Sequence, residues 1–460
     1  MNGRRLSELL RRDLAVDPVI EGVTADSRKV KKGWLFAALP GAAADGRDFV
    51  PAALKAGAAA VICEAPVKAS VPVVQTHDAR RAYALSAAAF WGAGPSTCVA
   101  VTGTNGKTSV ATFCRQIFER LGRTSASMGT LGVQAGGEQI TAPGLTTPDA
   151  GDVAGLLADL AARGVTHLAL EASSHGLDQR RLDGVQLAAA GFLNLTQDHL
   201  DYHGTMATYR AAKLRLFEEL APRGSVAVLN ADSDAYPAFA AAAVTHGLTV
   251  FSAGAMGQDL TLAHRSLTPE GQRLRIRAEG RSFDVRLPLG GVFQASNALV
   301  AAGLCIAAGE ATQGVLEALE HIQGAPGRMQ RVGAGKRGGE AYVDYAHTPD
   351  GLEKVLLALR PHASGRLIVV FGAGGDRDRS KRPQMGAIAA SLADVAIVTD
   401  DNPRSEDPAA IRAEIRAGGA GLREIGGRRE AIRAAAAMLK DGDVLVVAGK
   451  GHEQGQTIGA

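Results

Sequence analysis

The chain has 460 residues, of which 46% are hydrophobic and 21% are charged. This length exceeds what one ordinary hydrophobic core can organise, so we expect several domains. The formal net charge of +3 is too small to indicate a surface dedicated to nucleic acid. No apolar run reaches the roughly 18 residues of a membrane span. We therefore expect neither nucleic acid nor a membrane as a partner.

The cysteines and the N-terminal segment bear on location. The four cysteines are widely spaced in apolar contexts, which predicts buried thiols in a reducing compartment and not a zinc site or a disulfide framework. The segment MNGRRLSELLRRDL is charged throughout and lacks the apolar core of a signal peptide. We expect a cytoplasmic protein.

Residues 1–94 alternate short predicted strands with alanine-rich helices. Apolar runs at 33–39 and 59–63 predict strands, and 49–56 has helical spacing. The sequence AGPS at 93–96 is typical of a linker. Because this segment contains no catalytic constellation, we interpret it as an α/β recognition domain.

A glycine turn with the sequence GTNGKTS occupies residues 103–109. It follows a predicted buried strand at 98–101 and precedes a predicted helix at 110–118, the setting of a phosphate-binding loop. Glycines let backbone N–H groups approach phosphate oxygens, and the helix N-terminus adds partial positive charge. Lys107 would reach the terminal phosphates and the Thr108 hydroxyl would bind Mg²⁺. Val101 stands where the general pattern has its first glycine, so a glycine turn with a solvated lysine remains the alternative.

Polar side chains follow the other predicted strands of residues 95–330. The strand at 166–170 ends at Glu171, and the strand at 188–195 is followed by His199. Both are candidate Mg²⁺ ligands, although a helix cap and a surface histidine are the ordinary alternatives. Lys213 borders the apolar stripe of a predicted helix, where a solvated lysine is the ordinary interpretation. Residues 247–290 predict a small antiparallel excursion.

Residues 331–460 restart an α/β pattern, with strands predicted at 341–345, 367–371, 395–399 and 444–448. The sequence GAGG at 372–375 does not fit a dinucleotide fingerprint. Arg377 and Arg404 follow two of the strands, and Pro403 stiffens the loop before Arg404. Two arginine forks at strand ends predict an anionic or zwitterionic substrate, with ordinary surface arginines as the alternative.

Four sequence blocks occur together and in order: TGTNGKT at 102–108, EASSHGL at 171–177, NLTQDHLDYH at 194–203 and DYAHTP at 344–349. In these blocks the chain resembles the Mur ligases, the ATP-dependent amide-forming enzymes of bacterial peptidoglycan synthesis, and the resemblance covers nearly all of it. It implies an α/β fold of three domains. These are an N-terminal α/β sugar-nucleotide domain (1–94), a central P-loop domain with a mostly parallel sheet (95–330), and a C-terminal Rossmann-like amino-acid-binding domain (331–460).

Within that family, three motifs are similar to those of the enzymes that add meso-diaminopimelate to UDP-N-acetylmuramoyl-L-alanyl-D-glutamate: DSR at 26–28, SSHGL at 173–177 and DNPR at 401–404. The resemblance implies small-molecule substrates, ATP and Mg²⁺ as cofactors, and a monomer. The nucleotide-side residues that it implies are Gly103, Thr104, Asn105, Gly106, Lys107, Thr108, Ser109, Asn297, Arg328, Asp344 and His347. The catalytic residues that it implies are Lys107, Glu171, His199 and Lys213. The magnesium ligands that it implies are Thr108, Glu171, His199 and Lys213, the last after carbamylation by CO₂.

The resemblance also implies two further groups of substrate-binding residues. The UDP-sugar peptide would be held by Ser27, Thr146, Thr147, Ser173, Gln179 and Arg181. The diaminopimelate pocket would be formed by Arg377, Asp401, Asn402, Pro403, Arg404, Gly449 and Glu453.

Three alternatives to this activity remain open on the sequence. They are a lysine-adding ligase of the same family, an enzyme like folylpolyglutamate synthase, and a non-catalytic nucleotide-dependent binding module. The motifs that contain Ser27 and Asp401 argue against the second. The third is disfavoured by the presence of all four predicted catalytic residues, Lys107, Glu171, His199 and Lys213.

Overall fold

The computed structural model describes residues 3–41, 44–268, 271–453 and 455–459. Its N-terminal part is built on a four-stranded parallel sheet in the order β3-β4-β5-β6, next to an antiparallel pair formed by β1 and β2. Its elements are β1 (Arg4–Arg5), α1 (Leu6–Leu10), β2 (Val19–Ile20), β3 (Gly22–Thr24), β4 (Trp34–Ala38), α2 (Val50–Lys55), β5 (Ala60–Cys63), β6 (Val73–Gln75) and α3 (Ala79–Trp91). Short 3₁₀ turns span Ser27–Lys29 and Gly46–Phe49.

The central part is one eleven-stranded sheet in the order β10-β9-β8-β11-β7-β12-β13-β14-β15-β16-β17. Its strands are β7 (Thr97–Thr102), β8 (Ser125–Gly129), β9 (Gly132–Ala135), β10 (Glu138–Gln139), β11 (His167–Glu171), β12 (Ala189–Phe192), β13 (Val226–Asn230), β14 (Thr249–Gly254), β15 (Leu260–Thr268), β16 (Gly271–Ala278) and β17 (Arg281–Leu287). Its helices are α4 (Lys107–Arg120), α5 (Ala150–Ala162), α6 (Ser174–Asp178), α7 (Leu200–His203), α8 (Met206–Arg215), α9 (Tyr236–His246), α10 (Phe293–Ala307) and α11 (Thr312–Ala318). A π-helical turn at Leu216–Leu220 follows α8, and a 3₁₀ turn at Leu319–His321 follows α11.

The predicted antiparallel segment is present, but it does not stand apart from the central sheet. Strands β15, β16 and β17 pair antiparallel to one another. Strand β15 also pairs parallel with β14, through Ala253–Leu260 and Gly254–Thr261. The antiparallel segment therefore forms one edge of the sheet that carries the phosphate loop. Its inward residues, such as Leu274 and Ile276, join the core formed by α4 and α10.

The C-terminal part contains a six-stranded sheet in the order β18-β19-β23-β20-β21-β22, parallel except for the β18–β19 pair. Its strands are β18 (Gln330–Ala334), β19 (Glu340–Val343), β20 (Leu367–Phe371), β21 (Val395–Val398), β22 (Arg423–Glu424) and β23 (Val444–Val447). Its helices are α12 (Pro349–Leu359), α13 (Lys381–Leu392), α14 (Pro408–Arg416) and α15 (Arg428–Met438), with a 3₁₀ turn at Arg360–His362. The three-domain α/β fold is thus confirmed, while the boundaries at 94/95 and 330/331 stay predictions.

Two further expectations can be compared with the structure. All four cysteines are buried and unpaired by disulfides, as predicted. In the described parts of the chain, no helix combines the length and the apolar character needed to cross a membrane.

Candidate active site

The phosphate loop connects the end of β7 to the first turn of α4. Gly103 and Gly106 have φ values of +155° and +91°, a region that favours glycine. A Cβ atom on Gly106 would also collide with Oδ1 of Asn297. The Lys107 ammonium donates to the carbonyls of Gly103 and Thr104 at 2.8 and 2.9 Å. The loop is therefore preformed, with its lysine folded over its own backbone.

Glu171 lies beside this loop because β11 and β7 are neighbouring parallel strands, with Glu171 in register with Val101. Its carboxylate is buried and accepts hydrogen bonds from the hydroxyls of Thr108 (3.0 Å) and Thr130 (3.2 Å). The helix-cap alternative does not apply, since the side chain that caps α6 is that of Ser173. Thr108 and Glu171 thus present hard oxygen donors of the kind that Mg²⁺ prefers.

His199 occupies a left-handed backbone conformation, with φ of +53°, immediately before α7. The carboxylate of Asp198 holds it at two points. Oδ1 accepts the His199 backbone N–H at 2.9 Å, and Oδ2 lies 3.3 Å from Nε2 of the ring. Burial lowers the pKa of His199 to about 3, against the opposing effect of Asp198. The imidazole is therefore neutral near pH 7, the form that can bind a metal.

Lys213 is 1% exposed, so the solvated interpretation of this lysine is wrong. Its ammonium nitrogen donates to the Gly103 carbonyl at 2.8 Å and lies 4.5 Å from the centre of the Tyr209 ring. Burial, and then the nearby charge of Lys107, lower the pKa of Lys213 well below its usual range. A buried lysine with a depressed pKa provides the neutral amine that reacts with CO₂.

A cavity of about 380 Å³ lies between the central and C-terminal parts. It is lined by twelve of the predicted nucleotide-side and magnesium residues: Thr104, Asn105, Gly106, Lys107, Thr108, Ser109, Glu171, His199, Asn297, Arg328, Asp344 and His347. Gly103 and Lys213, which are joined by a hydrogen bond, do not line it. Thr146, predicted on the sugar side, lines it as well. One cavity therefore brings together predicted residues that lie up to 243 positions apart in the sequence, from Thr104 to His347.

Arg328 and Asp344 occupy the C-terminal side of this cavity. The Arg328 guanidinium donates to the Thr108 hydroxyl at 3.2 Å and lies 4.3 Å from the centre of the Tyr345 ring. Its Nε is buried and has no partner among the described residues. Asp344 accepts the backbone N–H groups of Met329 and Ala346, each at 2.7 Å. A cation fork with an unused donor beside a glycine loop and a helix N-terminus fits a polyphosphate.

The same cavity fits a magnesium ion bound with the nucleotide. Thr108, Glu171 and His199 all line it. In the described chain, no three His, Cys, Asp or Glu side chains form a metal-binding group by themselves. A cation here would therefore complete its shell with phosphate oxygens, water and further oxygen ligands, which is usual for Mg²⁺.

Four of the predicted sugar-side residues form one connected group in the central part. The hydroxyl of Thr147 accepts from the backbone N–H and the hydroxyl of Ser173, at 3.1 and 3.0 Å. Arg181 donates to the Thr147 carbonyl at 2.6 Å and to Gln179 Oε1 at 2.7 Å. Thr146 precedes Thr147 in the sequence, and its hydroxyl lies 3.0 Å from the Thr130 hydroxyl. Ser27 lies apart from these residues, on the 3₁₀ turn Ser27–Lys29 of the N-terminal part.

The predicted amino-acid residues gather at the carboxyl ends of β20, β21 and β23. The Arg404 guanidinium donates to the Gly375 carbonyl at 2.7 Å. Asn402 donates to Glu453 at 3.1 Å. Lys450, which the sequence interpretation missed, is buried between them and donates to both Asn402 Oδ1 (2.6 Å) and Glu453 (2.8 Å).

The other predicted members of this group lie in the loops that follow β20, β21 and β23. Gly449 has φ of +106°, and a Cβ atom there would lie 2.9 Å from Asp401 Oδ2. That Asp401 oxygen has no hydrogen-bond partner among the described residues. The Pro403 carbonyl lies so close to Gly375 that a Cβ atom on Gly375 would collide with it. Arg377 instead reaches the central part, 3.7 Å from Asp201.

The sequence interpretation missed the side chains that join the two parts across the cavity. Asp350 accepts from Asn105 of the phosphate loop at 2.6 Å and from Thr196 at 3.2 Å. Lys381 donates to Asp198 at 2.6 Å. Asp198 lies in one of the sequence blocks quoted above, but no local pattern distinguishes Asp350 or Lys381 from surface charges.

Comparison with known proteins agrees with the three-domain fold. The chain matches three family models: the Mur ligase family, catalytic domain, at residues 19–91; the Mur ligase middle domain at 101–305; and the Mur ligase, glutamate ligase domain at 327–451. It is 68% identical to the UDP-N-acetylmuramoyl-L-alanyl-D-glutamate–2,6-diaminopimelate ligase of Caulobacter vibrioides, over 99% of this chain and 95% of that protein.

Two solved structures are similar as well. A structure of UDP-N-acetylmuramoyl-L-alanyl-D-glutamate–2,6-diaminopimelate ligase superposes with a TM-score of 0.73 at 35% identity, covering 99% of this chain and 95% of that one. MurF ligase from Thermotoga maritima in complex with ADP has a TM-score of 0.66 at 20% identity, covers 93% of each chain, and shows the shared fold. On the three matched domains and these identities, the chain belongs to the Mur ligase family.

Proposed function

We propose that this protein is an ATP-dependent ligase that joins meso-diaminopimelate to UDP-N-acetylmuramoyl-L-alanyl-D-glutamate. The observation that carries the proposal is the cavity in which the phosphate loop, Glu171, His199 and Arg328 meet. The relative that is 68% identical bears the name of that activity and aligns over 99% of this chain. The reaction belongs to the synthesis of peptidoglycan precursors, and we assign the protein to the cytoplasm as a monomer.

The chemistry consists of two transfers at one carboxyl group. The side-chain carboxylate of D-glutamate attacks the γ-phosphorus of ATP, giving an acyl phosphate and ADP. The diaminopimelate amine then attacks the activated carbonyl carbon, an amide bond forms, the bond to phosphate breaks, and the amine proton passes to solvent. A carboxylate is a poor electrophile, and phosphorylation supplies its leaving group.

The phosphate loop and Arg328 would bear the charge of this transfer. Lys107, Arg328 and the N-terminus of α4 all face the cavity and offset negative charge on the phosphoryl oxygens. Lys107 must then exchange its bonds to Gly103 and Thr104 for bonds to phosphate. The preformed loop reduces the reorganisation that the transfer requires.

We propose that Thr108, Glu171 and His199 hold magnesium at this site and that Lys213 contributes as a carbamate. Mg²⁺ when bound screens the phosphate charge. Carbamylation forms a bond between the neutral Lys213 nitrogen and the carbon of CO₂, releasing a proton and leaving an anionic oxygen ligand. The burial of Lys213 beside Lys107 supports this, since it favours the neutral amine.

We propose that Arg404 reads the second carboxylate of diaminopimelate, the group that lysine lacks. One NH group of Arg404 is fixed by the Gly375 carbonyl, which orients the fork. Lysine would leave the Arg404 guanidinium without a carboxylate partner, which should lower kcat/KM for lysine by several-fold to about a hundred-fold. We expect Arg404→Ala to lose the preference for diaminopimelate over lysine. Unchanged discrimination in a substrate panel would refute this role.

The experiment that tests the function is ADP release, measured with and without the sugar-nucleotide dipeptide and with each diamino acid. We expect release only when the dipeptide and meso-diaminopimelate are both present. Release with lysine in place of diaminopimelate would identify the lysine-adding alternative. Release that depends on neither substrate would contradict the ligase, and release that requires a folate substrate would indicate the folylpolyglutamate synthase type.

A further inference from the structure

One buried ion pair joins the central and C-terminal parts beside the candidate magnesium site. Lys381, the first residue of α13, donates to Oδ1 of Asp198 at 2.6 Å. The two side chains are 12% and 7% exposed, so this is not a solvated surface contact. Among the described residues, the only other basic side chain within 4 Å of the Asp198 carboxylate is that of His199, whose ring is neutral near pH 7.

Asp198 is the group that sets the conformation of His199. The same oxygen that receives Lys381 also accepts the His199 backbone N–H, at 2.9 Å. The His199 backbone is left-handed, with φ of +53°, a conformation that residues with a Cβ atom adopt uncommonly and that local hydrogen bonds stabilise. The other Asp198 oxygen faces the ring at 3.3 Å. His199 is therefore held through backbone and ring by one carboxylate.

A buried carboxylate keeps its charge and its position only while it is paired. Within the central part, Asp198 has the His199 N–H and ring as its close partners, and the short bond to a full cation comes from the other side of the cavity. If the C-terminal part moved away, Asp198 would lose that bond and could turn toward other donors. The conformation of His199 would then lose the support of its carboxylate.

We infer that Lys381 is a positioning residue that makes the orientation of His199 depend on the docking of the C-terminal domain against the central domain. The inference rests on the proposed role of His199 as a metal ligand. It deepens that role, because the amino acid and the magnesium site are carried by different domains. The ion pair lets the metal site become complete only when the domain that brings the amine is in place.

The test compares four variants: Lys381→Met, Lys381→Arg, Asp198→Asn and the double variant Lys381→Met/Asp198→Asn. The first measurement is the affinity for Mn²⁺ in the presence of ADP, by electron paramagnetic resonance. The second is the steady-state rate with all three substrates. We expect Lys381→Met to weaken Mn²⁺ binding at least fivefold and to lower kcat at least tenfold, with KM for the sugar-nucleotide dipeptide within twofold of wild type. Lys381→Arg should restore most of the Mn²⁺ affinity.

Two controls separate this role from general effects. Gln197→Ala removes another bond between the same two domains, the 3.4 Å contact with Asp378, without touching Asp198. Arg379→Met removes an exposed cation that pairs with Glu414 inside the C-terminal domain. Both should bind Mn²⁺ as wild type does, and a circular-dichroism melt checks that each variant is folded.

Three outcomes would overturn the inference. The first is an unchanged Mn²⁺ affinity in folded Lys381→Met. The second is a double variant whose losses equal the product of the two single losses, since residues that act through one another are not independent. The third is a loss of Mn²⁺ affinity in Gln197→Ala equal to that in Lys381→Met, which would assign the effect to any weakened contact between the two domains and not to Asp198. Failure of the proposed function would appear differently, as wild-type protein that binds Mn²⁺ and ADP normally but forms no amide.

Discussion

Arg382 offers the clearest test of how the amino-acid pocket is held together. It is 1% exposed and lies in α13, behind the loops that carry Arg404. Its guanidinium donates to both oxygens of Glu406, at 2.8 and 2.9 Å, and to Glu414 at 2.8 Å. It also donates to the Gly374 carbonyl at 3.2 Å. We consider the change Arg382→Met, which keeps much of the side-chain volume and removes the charge.

The expected cost follows from what the substitution leaves behind. Removing one partner of a fully buried ion pair typically costs about 3–5 kcal/mol, because the other charge stays unpaired. The carboxylates of Glu406 and Glu414 are 22% and 29% exposed, so water can replace part of the lost bonding. We therefore expect a loss of about 2–3 kcal/mol in the free energy of unfolding, somewhat below that range.

The same change should loosen the amino-acid pocket. Glu406 also accepts the Asp376 backbone N–H at 2.6 Å, and the neighbouring Gly375 carbonyl anchors Arg404 at 2.7 Å. Without Arg382 this loop loses its support, so KM for diaminopimelate should rise several-fold while KM for ATP stays near wild type.

Urea unfolding followed by circular dichroism measures the stability, and ADP release measures the two KM values. Arg379→Met is the matched control, since Arg379 is 65% exposed and pairs with the same Glu414. Exposed pairs contribute about 0–1 kcal/mol, so this control should remain close to wild type. A loss below about 0.5 kcal/mol in Arg382→Met, or equal losses in both variants, would refute the reasoning.

Two further predictions concern acid stability and carbon dioxide. The hydrogen bond from Arg382 lowers the pKa of Glu406 to about 2, below its usual 4.5. The ionised Glu406 therefore stabilises the folded protein fully at pH values above the pKa that it has in the unfolded chain. This contribution is lost as the pH falls from about 5 toward 2. The urea midpoint should therefore drop more between pH 5 and pH 3 in wild type than in Glu406→Gln, and parallel drops would contradict this assignment. If Lys213 acts as a carbamate, removing CO₂ and bicarbonate should slow ADP release, and added bicarbonate should restore it. The rate of Lys213→Gln should not respond to bicarbonate. Full activity after exhaustive removal of CO₂ would exclude the carbamate.

Much of the fold was predictable because its signals are local. A buried parallel strand is a short apolar run, so the runs at 98–101 and 367–371 appear as β7 and β20. The link between β14 and β15 was not predictable, since strand pairing depends on which edge is free and not on local sequence. The antiparallel segment was correctly recognised, but its place at the edge of the central sheet was not.

The candidate site likewise contains some residues that local sequence predicts and others that only tertiary contacts reveal. The loop around Lys107 is a contiguous motif, and its glycines follow from its geometry. Lys213 is different: helical spacing puts it at the border of an apolar stripe, and only its packing against the Gly103 carbonyl, 110 residues away in sequence, buries it. Asp350 and Lys381 belong to helices whose polar faces resemble any solvated surface, and their roles arise only where two domains meet.

The missing first glycine of the phosphate loop has a structural counterpart. Val101 still belongs to β7, buried and in register with Glu171 on β11. Extending the strand through this position carries the register up to the loop, so that the Glu171 carboxylate arrives within 3.0 Å of the Thr108 hydroxyl. A glycine there would weaken the strand at the point that aligns these two oxygen groups. Val101 therefore keeps β7 regular at the position opposite Glu171, whose buried carboxylate lies beside the phosphate loop.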